Sequence, residues 1–480
     1  MKKTKDRGVN RTKIVATLGP ACNAEGTLRE MLKAGMDVAR VNFSHGSAET
    51  NFALLAKLRS AAAKEKREVA VMQDLQGAKL RVGRLPDAGL ELLDGSTVVL
   101  LAGASSAEDG LIPVPYVTLA KEVKRGDAIL LSDGLLELVV IAVEGRRILT
   151  KVEVGGTLIS YRGLTVPNRA LAIEGFTDKD KADLILGINN NVDMVALSFV
   201  RTAEDVQQLK KRINRLCGDS IEPPQVIVKI EKREAIDNFD SILEEADAVM
   251  VARGDLGLET AFERVPVMQK ELIAKCLVAG KPVVVATHML SSMTLKPRPT
   301  RAEASDVANA VIDHADALML SEETAMGRYP VRSVKTMADI IEATEESSLD
   351  NLKPERDSKG APTQLAVAAG AVELARQVKA AAILVTTRSG YSARAVARFR
   401  PEIPIMAVTD SVRVQKQLQL SWGAWPIYVE GYTEPDKMVK RALQIIKKDK
   451  RISLSGQVVV VSGLKSGRSG WDPTVRVVKV

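Results

Sequence analysis

Two strings in the middle of the chain carry the residue types of a metal and anion site. Lys229 and Glu231 end the apolar run in VKIE, and Arg253 and Asp255 follow the next apolar run in MVARGDLGLE. Charged side chains at the ends of apolar strands are costly unless they are paired or bound to something. The carboxylates of Glu231 and Asp255 suit Mg²⁺ or Mn²⁺, and Lys229 can neutralise charge that builds on a transferring phosphoryl group or an enolate. The strings therefore predict a divalent metal that carries an anionic substrate.

Polar residues also follow four other apolar runs of the chain. They are Arg40, Asn42, Ser44 and His45 after the second run, Asp74, Lys79 and Arg81 after the third, Thr287 and His288 after the seventh, and Ser321 and Glu323 after the eighth. Arg40 and Arg81 can bind phosphate through forked hydrogen bonds. Polar ends on six runs favour one shared catalytic face over a set of unrelated structural ion pairs.

The elements that must position these residues alternate between apolar, β-rich runs and amphipathic helical stretches. The first eight runs are KIVATLG (from Lys13), DVARVNFS (Asp37), VAVMQDL (Val69), VDMVALSF (Val192), PQVIVKI (Pro224), AVMVARG (Ala248), PVVVAT (Pro282) and ALMLS (Ala317). Eight such repeats predict an α/β fold, a (β/α)₈ TIM barrel with its active site at the carboxyl ends of the strands. An open doubly wound sheet is the alternative, and eight units in one array favour closure.

Two segments fall outside this repeat. Residues 78–174 lack helical periodicity and are rich in turn signals such as Asp133-Gly134, which predicts a small all-β domain inserted beside the active site, called the insert below. After the polar linker that starts at Leu352, βα units resume and predict a C-terminal open α/β domain. The predicted domains are thus a barrel of residues 1–77 and 175–350, the insert of 78–174, and a C-terminal domain of 351–480.

Composition limits the classes of partner and compartment. The 480 residues are 46% hydrophobic and carry a net charge of +8, which favours phosphorylated metabolites or nucleic acid as partners. Only 3% of the residues are aromatic, which argues against a nucleic-acid surface. Three scattered cysteines indicate a reducing compartment. Since neither a signal peptide nor a membrane-length apolar run is evident, we expect a cytoplasmic protein.

In the order and spacing of these residues, the chain closely resembles the pyruvate kinase family. The matching strings are TKIVATLGPA, AGMDVARVNFSHG, IVKIEKREAIDNFDSIL, VMVARGDLGLE, KPRPTRAEASDVANAVIDHADALMLSEETAMGRYP and TTRSGYSARAVARFRP. The resemblance implies a (β/α)₈ barrel, a β-barrel lid formed by the insert, and a C-terminal regulatory domain, usually in a homotetramer. It also implies phosphate transfer from phosphoenolpyruvate to ADP, which gives ATP and pyruvate as the last step of glycolysis.

The resemblance also assigns roles to individual positions. Glu231 and Asp255 would bind Mg²⁺, and Lys229 would stabilise the phosphoryl group and the enolate. The remaining roles are phosphate binding by Arg40 and Arg81, nucleotide contact by His45, a substrate-carboxylate cradle in the backbone of Ala252, Gly254 and Asp255, and a water near Thr287 and Ser321 that supplies the final proton. Close approach of the backbone to the substrate is the predicted reason for the glycines.

One departure from the family concerns its monovalent-cation site, which would be formed by Asn42, Ser44, Asp74 and the carbonyl of Leu75. Potassium-dependent members continue the third strand as DTKGPEIR, whereas this chain has DLQGAKLR, so that Lys79 stands at the glutamate position. A fixed ammonium near the substrates can supply the charge that potassium brings. We therefore predict activity without K⁺. The alternative is that Lys79 points to solvent and the potassium site still works.

The segment TTRSGYSA joins a strand to a helix in the C-terminal domain. Its hydroxyls and backbone N–H groups form a possible phosphate nest, although ordinary N-capping by a serine is the alternative. In the family this loop holds the phosphate of an allosteric effector, which would contact Thr387, Arg388, Ser389 and Ser392. A catalytically silent regulatory relative, or one that binds nucleic acid, is the competing hypothesis for the whole chain. A silent relative would be expected to lose Lys229, Glu231 or Asp255, and all three are present.

Overall fold

The computed structural model describes most of the chain: residues 10–107, 110–167, 169, 171, 175–351, 362–431, 435–448, 455–466 and 470–480. The first strands are β1 (Lys13–Leu18), β2 (Val38–Asn42) and β3 (Ala70–Asp74). The insert adds β4 (Leu90–Leu92), β5 (Thr97–Ala102), β6 (Ile112–Val114), β7 (Ala128–Leu131), β8 (Leu136–Glu144), β9 (Arg147–Val154), β10 (Gly156–Leu158) and β11 (Leu164–Thr165). Then follow β12 (Met194–Leu197), β13 (Gln225–Ile230), β14 (Ala248–Ala252), β15 (Val283–Ala286) and β16 (Ala317–Leu320). The last strands are β17 (Ala382–Thr386), β18 (Ile405–Thr409), β19 (Ala424–Tyr428), β20 (Gln457–Ser466) and β21 (Gly470–Lys479).

Helices connect most of these strands. In the first half of the chain they are α1 (Glu25–Ala34), α2 (Ala48–Glu65), α3 (Leu119–Glu122), α4 (Asp178–Asn189), α5 (Ala203–Cys217), α6 (Arg233–Asp237) and α7 (Phe239–Glu245). The second half contains α8 (Arg253–Glu259), α9 (Val265–Ala279), α10 (Arg301–Ile312), α11 (Glu322–Ala325), α12 (Pro330–Glu345), α13 (Thr363–Gln377), α14 (Tyr391–Ala397), α15 (Val412–Gln417) and α16 (Pro435–Lys448). Several begin with a capping hydroxyl. Thr177 of α4 and Thr300 of α10, for example, each accept a hydrogen bond from the third helical N–H.

The predicted barrel is confirmed. Its eight strands pair in the closed order β1-β16-β15-β14-β13-β12-β3-β2, and every neighbouring pair is parallel. Each strand lies where the sequence placed an apolar run. Small and unbranched side chains such as Ala196, Ala248 and Met250 fill the interior, because a barrel of eight strands has room only for packed side chains and not for a pore. Leu420 of the C-terminal domain joins this interior cluster.

An aspartate precedes every second strand at the amino-terminal end of the barrel. The carboxylates of Asp37, Asp193, Asp247 and Asp316 accept hydrogen bonds from the backbone N–H groups of Ile14, Val71, Val226 and Val283, at 2.9, 2.8, 2.8 and 3.1 Å respectively. Each therefore satisfies a backbone donor at the edge of the neighbouring strand, where an unpaired N–H would be costly. These bonds fix the strand register far from the catalytic face.

The insert is an all-β domain, as predicted. A six-stranded sheet in the order β11-β7-β8-β9-β5-β6 and a two-stranded sheet of β10 and β4 surround one apolar core. The expectation that this segment contains no helix is wrong in one detail, because α3 forms a single turn. Four residues are too few for helical periodicity to show in a sequence.

The C-terminal domain is an open sheet in the order β19-β18-β17-β20-β21, in which only β21 is antiparallel to its neighbour. It is tied to the barrel by the buried Arg400, which donates to both carboxylate oxygens of Asp316 at 3.2 and 3.0 Å. The domain boundaries given above stay a prediction, since residues 172–174 and 352–361, which contain most of the predicted linker, lie outside the described residues.

Two further expectations concern the cysteines and the membrane. Cys22, Cys217 and Cys276 are free and buried, in keeping with the absence of a disulfide framework. Within the described ranges, every helix falls short of the length and apolarity that a membrane crossing would require.

Candidate active site

Lys229 lies at the centre of a buried polar cluster at the carboxyl end of β13. Its Nζ is 2.8 Å from Glu231 Oε1 and 3.4 Å from Asp74 Oδ1, and it donates to Ser198 Oγ at 2.8 Å. Burial alone would lower the pKa of this ammonium. The attraction of Asp74 and Glu231 outweighs burial, so the pKa of Lys229 is raised above its ordinary value. Lys229 therefore stays charged at any physiological pH.

Asp74 connects this lysine to Arg40 on the neighbouring strand β2. Arg40 Nε donates to Asp74 Oδ2 at 2.7 Å, and Arg40 Nη1 donates to Thr17 Oγ1 at 2.9 Å. Burial would raise the pKa of Asp74, but Lys229 and Arg40 together lower it. A guanidinium held by two partners is fixed in direction, as a phosphate-binding arginine must be.

Glu231 and Asp255 are the two carboxylates assigned to the divalent metal. Glu231 is only 1% exposed, and its Oε2 accepts a hydrogen bond from the backbone N–H of Phe199 at 2.7 Å. Burial and the charge of Asp255 raise the pKa of Glu231, Lys229 lowers it, and the net shift is upward. Glu231 and Asp255 line the same cleft. Asp255 follows β14 as the third residue of α8 rather than as a strand end.

The donor set fits Mg²⁺ or Mn²⁺ held by two carboxylates, with further positions left for water or substrate oxygens. Within the described residues no group of three or more His, Cys, Asp or Glu side chains forms a metal cluster. Each of the two carboxylates contacts an ammonium group instead, Glu231 that of Lys229 and Asp255 that of Lys79. A site with few protein ligands and nearby cations is suited to a metal that binds together with an anionic substrate.

Lys79 lies between the barrel and the insert. Its Nζ is 2.9 Å from Asp255 Oδ1 and 3.0 Å from Asp133 Oδ1, and Asp133 belongs to the turn between β7 and β8. Burial lowers the pKa of Lys79, whereas Asp255 and Asp133 raise it, and the net shift is upward. A cleft opens here, lined by Lys79, Glu231 and Asp255 together with apolar side chains of the insert such as Leu164.

The residues proposed for the monovalent cation are arranged differently. Asn42 Oδ1 accepts the backbone N–H of Ser44 at 3.0 Å, and the carbonyl of Leu75 accepts the hydroxyl of Ser198 at 2.8 Å. Asp74 is occupied by Arg40 and Lys229. Lys79 contacts the divalent-metal carboxylate Asp255 and the insert residue Asp133 rather than these residues. Replacement of the monovalent cation by Lys79 therefore stays a prediction.

Arg81 and His45 line the outer part of the same face. Arg81 Nη1 donates to the carbonyl of Tyr161 at 3.0 Å. Burial, together with the charges of Arg81 and Arg40, lowers the pKa of His45, and Glu322 opposes the shift. His45 itself is exposed.

Thr287 lies next to the first turn of α8, which contains Gly254. Its Oγ1 accepts the backbone N–H of Gly254 at 2.8 Å and donates to the carbonyl of Ala286 at 2.6 Å. Thr287 and His288 both have positive φ values, 69° and 56°. Such a value is rare for a β-branched residue like Thr287, and it is typical of strained functional sites. The hydroxyl of Ser321 is buried without a hydrogen-bond partner.

Close approach of the backbone to the substrate, the role expected of the glycines, stays a prediction, while the structure describes how they pack against the protein. A Cβ atom at Gly254 would lie 3.4 Å from Thr287 Oγ1, and one at Gly257 would lie 3.6 Å from Phe262, both ordinary contacts. The protein around these glycines therefore has room for a side chain. In contrast, a Cβ at Gly77, where φ is 64°, would come within 2.8 Å of the Ser198 side chain. Packing thus demands a glycine at Gly77, two residues before Lys79, which the sequence analysis did not single out.

The loop assigned to the effector joins β17 to α14. Arg388 and Ser389 are exposed, Ser392 is half-buried, and Thr387 is only 2% exposed. The N-cap position of α14 is Gly390, which has no side chain to cap with, but Ser389 Oγ accepts the backbone N–H of Tyr391, the first residue of α14, at 3.4 Å. Capping by a serine therefore stays open as the alternative. The side chains of Lys465–Trp471, a possible second half of this pocket, lie outside the described residues.

Sequence reasoning missed several residues of the site. Ser198 and Phe199 follow β12, Thr17 lies on β1, and Asp133 lies on the insert. The first three follow the same rule as the others, since they lie at or near the carboxyl ends of barrel strands. Ser198 and Phe199 are the last two residues of the run VDMVALSF and could have been found by that rule. Asp133 could not, because its approach to the barrel depends on how the insert is oriented.

Comparison with known proteins gives the same assignment for the two large parts of the chain. The family model described as pyruvate kinase, barrel domain, matches residues 9–334. The family model described as pyruvate kinase, alpha/beta domain, matches residues 365–478. Together they cover more than half of the chain.

Individual relatives match over nearly the whole length. A pyruvate kinase from Clostridium acetobutylicum is 39% identical over 472 residues, which are 98% of this chain and 99% of the relative. One from Thermococcus litoralis is 40% identical over 479 residues, with the same coverage. The crystal structure of a pyruvate kinase from Cryptosporidium parvum is 34% identical and superposes with a TM-score of 0.89, covering 98% of this chain and 96% of the other.

Proposed function

Because the chain belongs to the pyruvate kinase family, the phosphotransferases that move phosphate from phosphoenolpyruvate to ADP, we propose that Lys229, Glu231 and Asp255 carry this reaction here. The observation that supports the assignment most directly is the buried ammonium of Lys229. It lies within 2.8 Å of a metal-type carboxylate, at the carboxyl end of a barrel strand. A lysine that remains charged in a dry site can stabilise charge that develops during transfer.

Glu231 and Asp255 would hold Mg²⁺, or Mn²⁺ in its place, which would supply positive charge against the negative charge of the phosphoryl group. Lys229 then stabilises the phosphoryl group in transit and the enolate that it leaves behind. Arg40 holds the phosphate from a direction that Asp74 and Thr17 fix in advance. Phosphoryl transfer depends mainly on such positioning and on electrostatic stabilisation.

The outer residues orient the two substrates. Arg81 binds phosphate from the insert side, and His45 contacts the nucleotide in a neutral form, since its pKa is lowered. The first turn of α8, which contains Gly254 and Asp255, holds the substrate carboxylate through N–H groups that have no partner within the helix. The Gly254 N–H donates to Thr287 Oγ1. This hydrogen bond would have to break before the N–H could bind the substrate carboxylate.

The enolate must gain a proton on its methylene carbon. The hydroxyls of Thr287 and Ser321 hold the water that delivers this proton. The hydroxyl of Ser321 suits the role because it is buried and lacks a hydrogen-bond partner. A hydroxyl relay also fits a chain with only 3 histidines in its full sequence.

Lys79 also leads us to propose that the enzyme does not require K⁺. Its ammonium contacts Asp255 and lines the same cleft as Glu231, so it can bring positive charge close to both substrates. Turnover measured in K⁺-free buffer with tetramethylammonium as the counter-ion should match turnover in KCl. A Lys79→Glu variant should become K⁺-dependent. Loss of most wild-type activity without K⁺ would refute the proposal.

The remaining proposals concern assembly and control. We infer a cytoplasmic homotetramer whose substrates are phosphoenolpyruvate and ADP, controlled by a phosphorylated effector. The exposed Arg388 and Ser389 would contact the effector phosphate, while Thr387, which is buried, could contribute only its backbone or would have to move. No observation favours nucleic acid or a membrane as a partner.

A lactate-dehydrogenase-coupled assay tests the proposed activity. Purified protein with Mg²⁺, ADP and phosphoenolpyruvate should oxidise NADH through the pyruvate that it releases, and should fail to do so when ADP is omitted. Absence of turnover with and without a panel of sugar phosphates would instead favour the catalytically silent alternative.

A further inference from the structure

Lys232 and Glu259 form an ion pair in the wall of the cleft that contains the two metal carboxylates. Lys232 directly follows Glu231, and Glu259 is the last residue of α8, four residues after Asp255. The Nζ of Lys232 donates to Glu259 Oε1, and the two side chains are only 21% and 5% exposed. All four residues line the same cleft. Each partner of the pair therefore belongs to a segment that supplies one carboxylate to the metal site.

The pair joins these two segments beyond the point where the barrel strands hold them together. The parallel pairing of β13 with β14 ends at Ile230 and Val251, so the strand register does not reach Glu231 or Asp255. The helix α8 has only 7 residues, and so short a helix is not stable by itself. The direction of the Asp255 side chain thus depends on what packs against α8.

The spacing within α8 links the position of Glu259 to that of Asp255. Side chains four residues apart on a helix lie on the same face, about one turn from each other. A contact that holds Glu259 in place therefore also fixes the rotation of α8 about its axis. It fixes the direction of Asp255 in the same way.

Lys232 also supports Glu231 through Phe199. The Nζ of Lys232 lies 5.9 Å from the centre of the Phe199 ring, within the range of a cation–π contact. The backbone N–H of Phe199 donates to Glu231 Oε2 at 2.7 Å, and Phe199 has a positive φ of 55°. A bulky residue keeps such a conformation only when its surroundings enforce it. One ammonium thus contacts α8 on one side and the residue that holds Glu231 on the other.

The opposite charges of Lys232 and Glu259 largely cancel at the metal site. The ammonium repels a divalent cation, whereas the carboxylate attracts it. If charge were all that mattered, removal of both charges would leave the metal affinity unchanged. A loss of affinity when both are removed therefore reports a change in the arrangement of Glu231 and Asp255.

We propose that Lys232 and Glu259 are positioning residues that fix the distance and direction between the Glu231 and Asp255 carboxylates, and that they thereby set the affinity of the site for a divalent cation. The proposal rests on the metal site assigned under the proposed function. In this role neither side chain ligates the cation. Replacement of residues that orient metal ligands typically changes metal affinity by about 10- to 100-fold.

The test measures Mn²⁺ binding to the full-length protein by electron paramagnetic resonance, with phosphoenolpyruvate in excess. The double variant Lys232→Met/Glu259→Gln should raise the Mn²⁺ dissociation constant by about tenfold, the lower end of the range, because Phe199 still holds Glu231. Lys232→Met alone should also weaken Mn²⁺ binding, by about threefold, although it removes a positive charge beside the site. In the coupled assay the double variant should need about tenfold more Mg²⁺ for its half-maximal rate, with kcat at saturating Mg²⁺ within about threefold of the wild type.

A second double variant supplies the matched control. Lys210 and Asp247 form an ion pair at the end of the barrel opposite the cleft, with 2.8 Å between Nζ and Oδ1. Lys210→Met/Asp247→Asn removes the same charges from the barrel and should bind Mn²⁺ as the wild type does. Circular dichroism confirms that each variant is folded, and Lys232→Met alone decides if the first double variant is not.

The outcomes separate the positioning role from the metal site. If the wild type binds Mn²⁺ and Lys232→Met/Glu259→Gln binds it equally well, the positioning role is overturned and the metal site stands. Tighter Mn²⁺ binding by Lys232→Met also overturns the role, because charge would then outweigh position. An equal loss of affinity in the control variant overturns it as well, since a general loss of stability would explain both. If the wild type does not bind Mn²⁺, the metal site itself is overturned, and the positioning role with it.

Discussion

Replacement of Asp74 by asparagine should disable the site through its charge balance while preserving its shape. Asp74 is 1% exposed and contacts Arg40 at 2.7 Å and Lys229 at 3.4 Å. The Asp74→Asn variant keeps the size of the side chain but removes the negative charge that both cations share. Lys229 retains Glu231, whereas Arg40 keeps only the hydroxyl of Thr17 among its described side-chain partners.

The expected loss of stability in Asp74→Asn follows from the burial of Asp74. Removal of one partner from a buried ion pair costs about 3–5 kcal/mol, because an uncompensated charge is left behind. Since Lys229 keeps a second carboxylate, we expect the lower end, about 3 kcal/mol of the free energy of unfolding. An unsupported Arg40 also loses its fixed direction, so kcat should fall by about 10²-fold, the scale of one lost electrostatic group.

Urea unfolding at several pH values and the coupled assay measure both effects. The pKa of Asp74 in the folded protein is lower than its ordinary value. The stability that its charge provides is therefore fully present above the ordinary pKa. It is lost only as the pH falls through the lower pKa of the folded protein. The stability difference between wild type and variant should therefore be constant from about pH 8 to about pH 5. A difference below about 1 kcal/mol, or one that shrinks already above pH 5, would refute the reasoning.

Two other predictions concern residues outside the metal ligands. Burial raises the pKa of Asp193 to about 6, so its ionisation destabilises the fold as pH rises through this value. Asp193→Asn should therefore gain up to about 3 kcal/mol of unfolding free energy relative to wild type between about pH 4 and pH 7, measured by urea unfolding, and equal stabilities at both pH values would contradict this. Ser198→Ala removes the hydroxyl that accepts from Lys229 and should lower kcat, at a nearly constant KM, by about 5- to 100-fold in the coupled assay, whereas a change confined to KM would rule out a role in orienting Lys229.

The sequence was sufficient to predict the barrel and most of its catalytic face. Hydrophobic periodicity marks the eight strands, and the topology of a parallel barrel carries the carboxyl end of every strand to one face. That is why Lys229, Glu231 and Arg40 could be brought together before any geometry was known. The order of the strands was sufficient to predict that these charged side chains lie on one face.

What the sequence did not predict depends on the orientation of parts that lie far apart in the chain. Lys79 was assigned to the monovalent-cation site, yet its ammonium contacts Asp255 and Asp133. That arrangement is set by how the insert docks on α8, and no periodic pattern records it. The burial of Thr387 could not be predicted either, because a threonine at the end of a strand can be exposed or buried.

The central claim is that Glu231 and Asp255 hold the divalent cation beside Lys229. The most direct measurement is Mn²⁺ binding by electron paramagnetic resonance in the presence of phosphoenolpyruvate, for the wild type, for Glu231→Gln and for the control Glu234→Gln on α6. We predict that Glu231→Gln weakens Mn²⁺ binding by at least about 100-fold, as expected when one of two charged ligands is lost, while Glu234→Gln binds as the wild type does. Unchanged Mn²⁺ affinity in Glu231→Gln would contradict the claim.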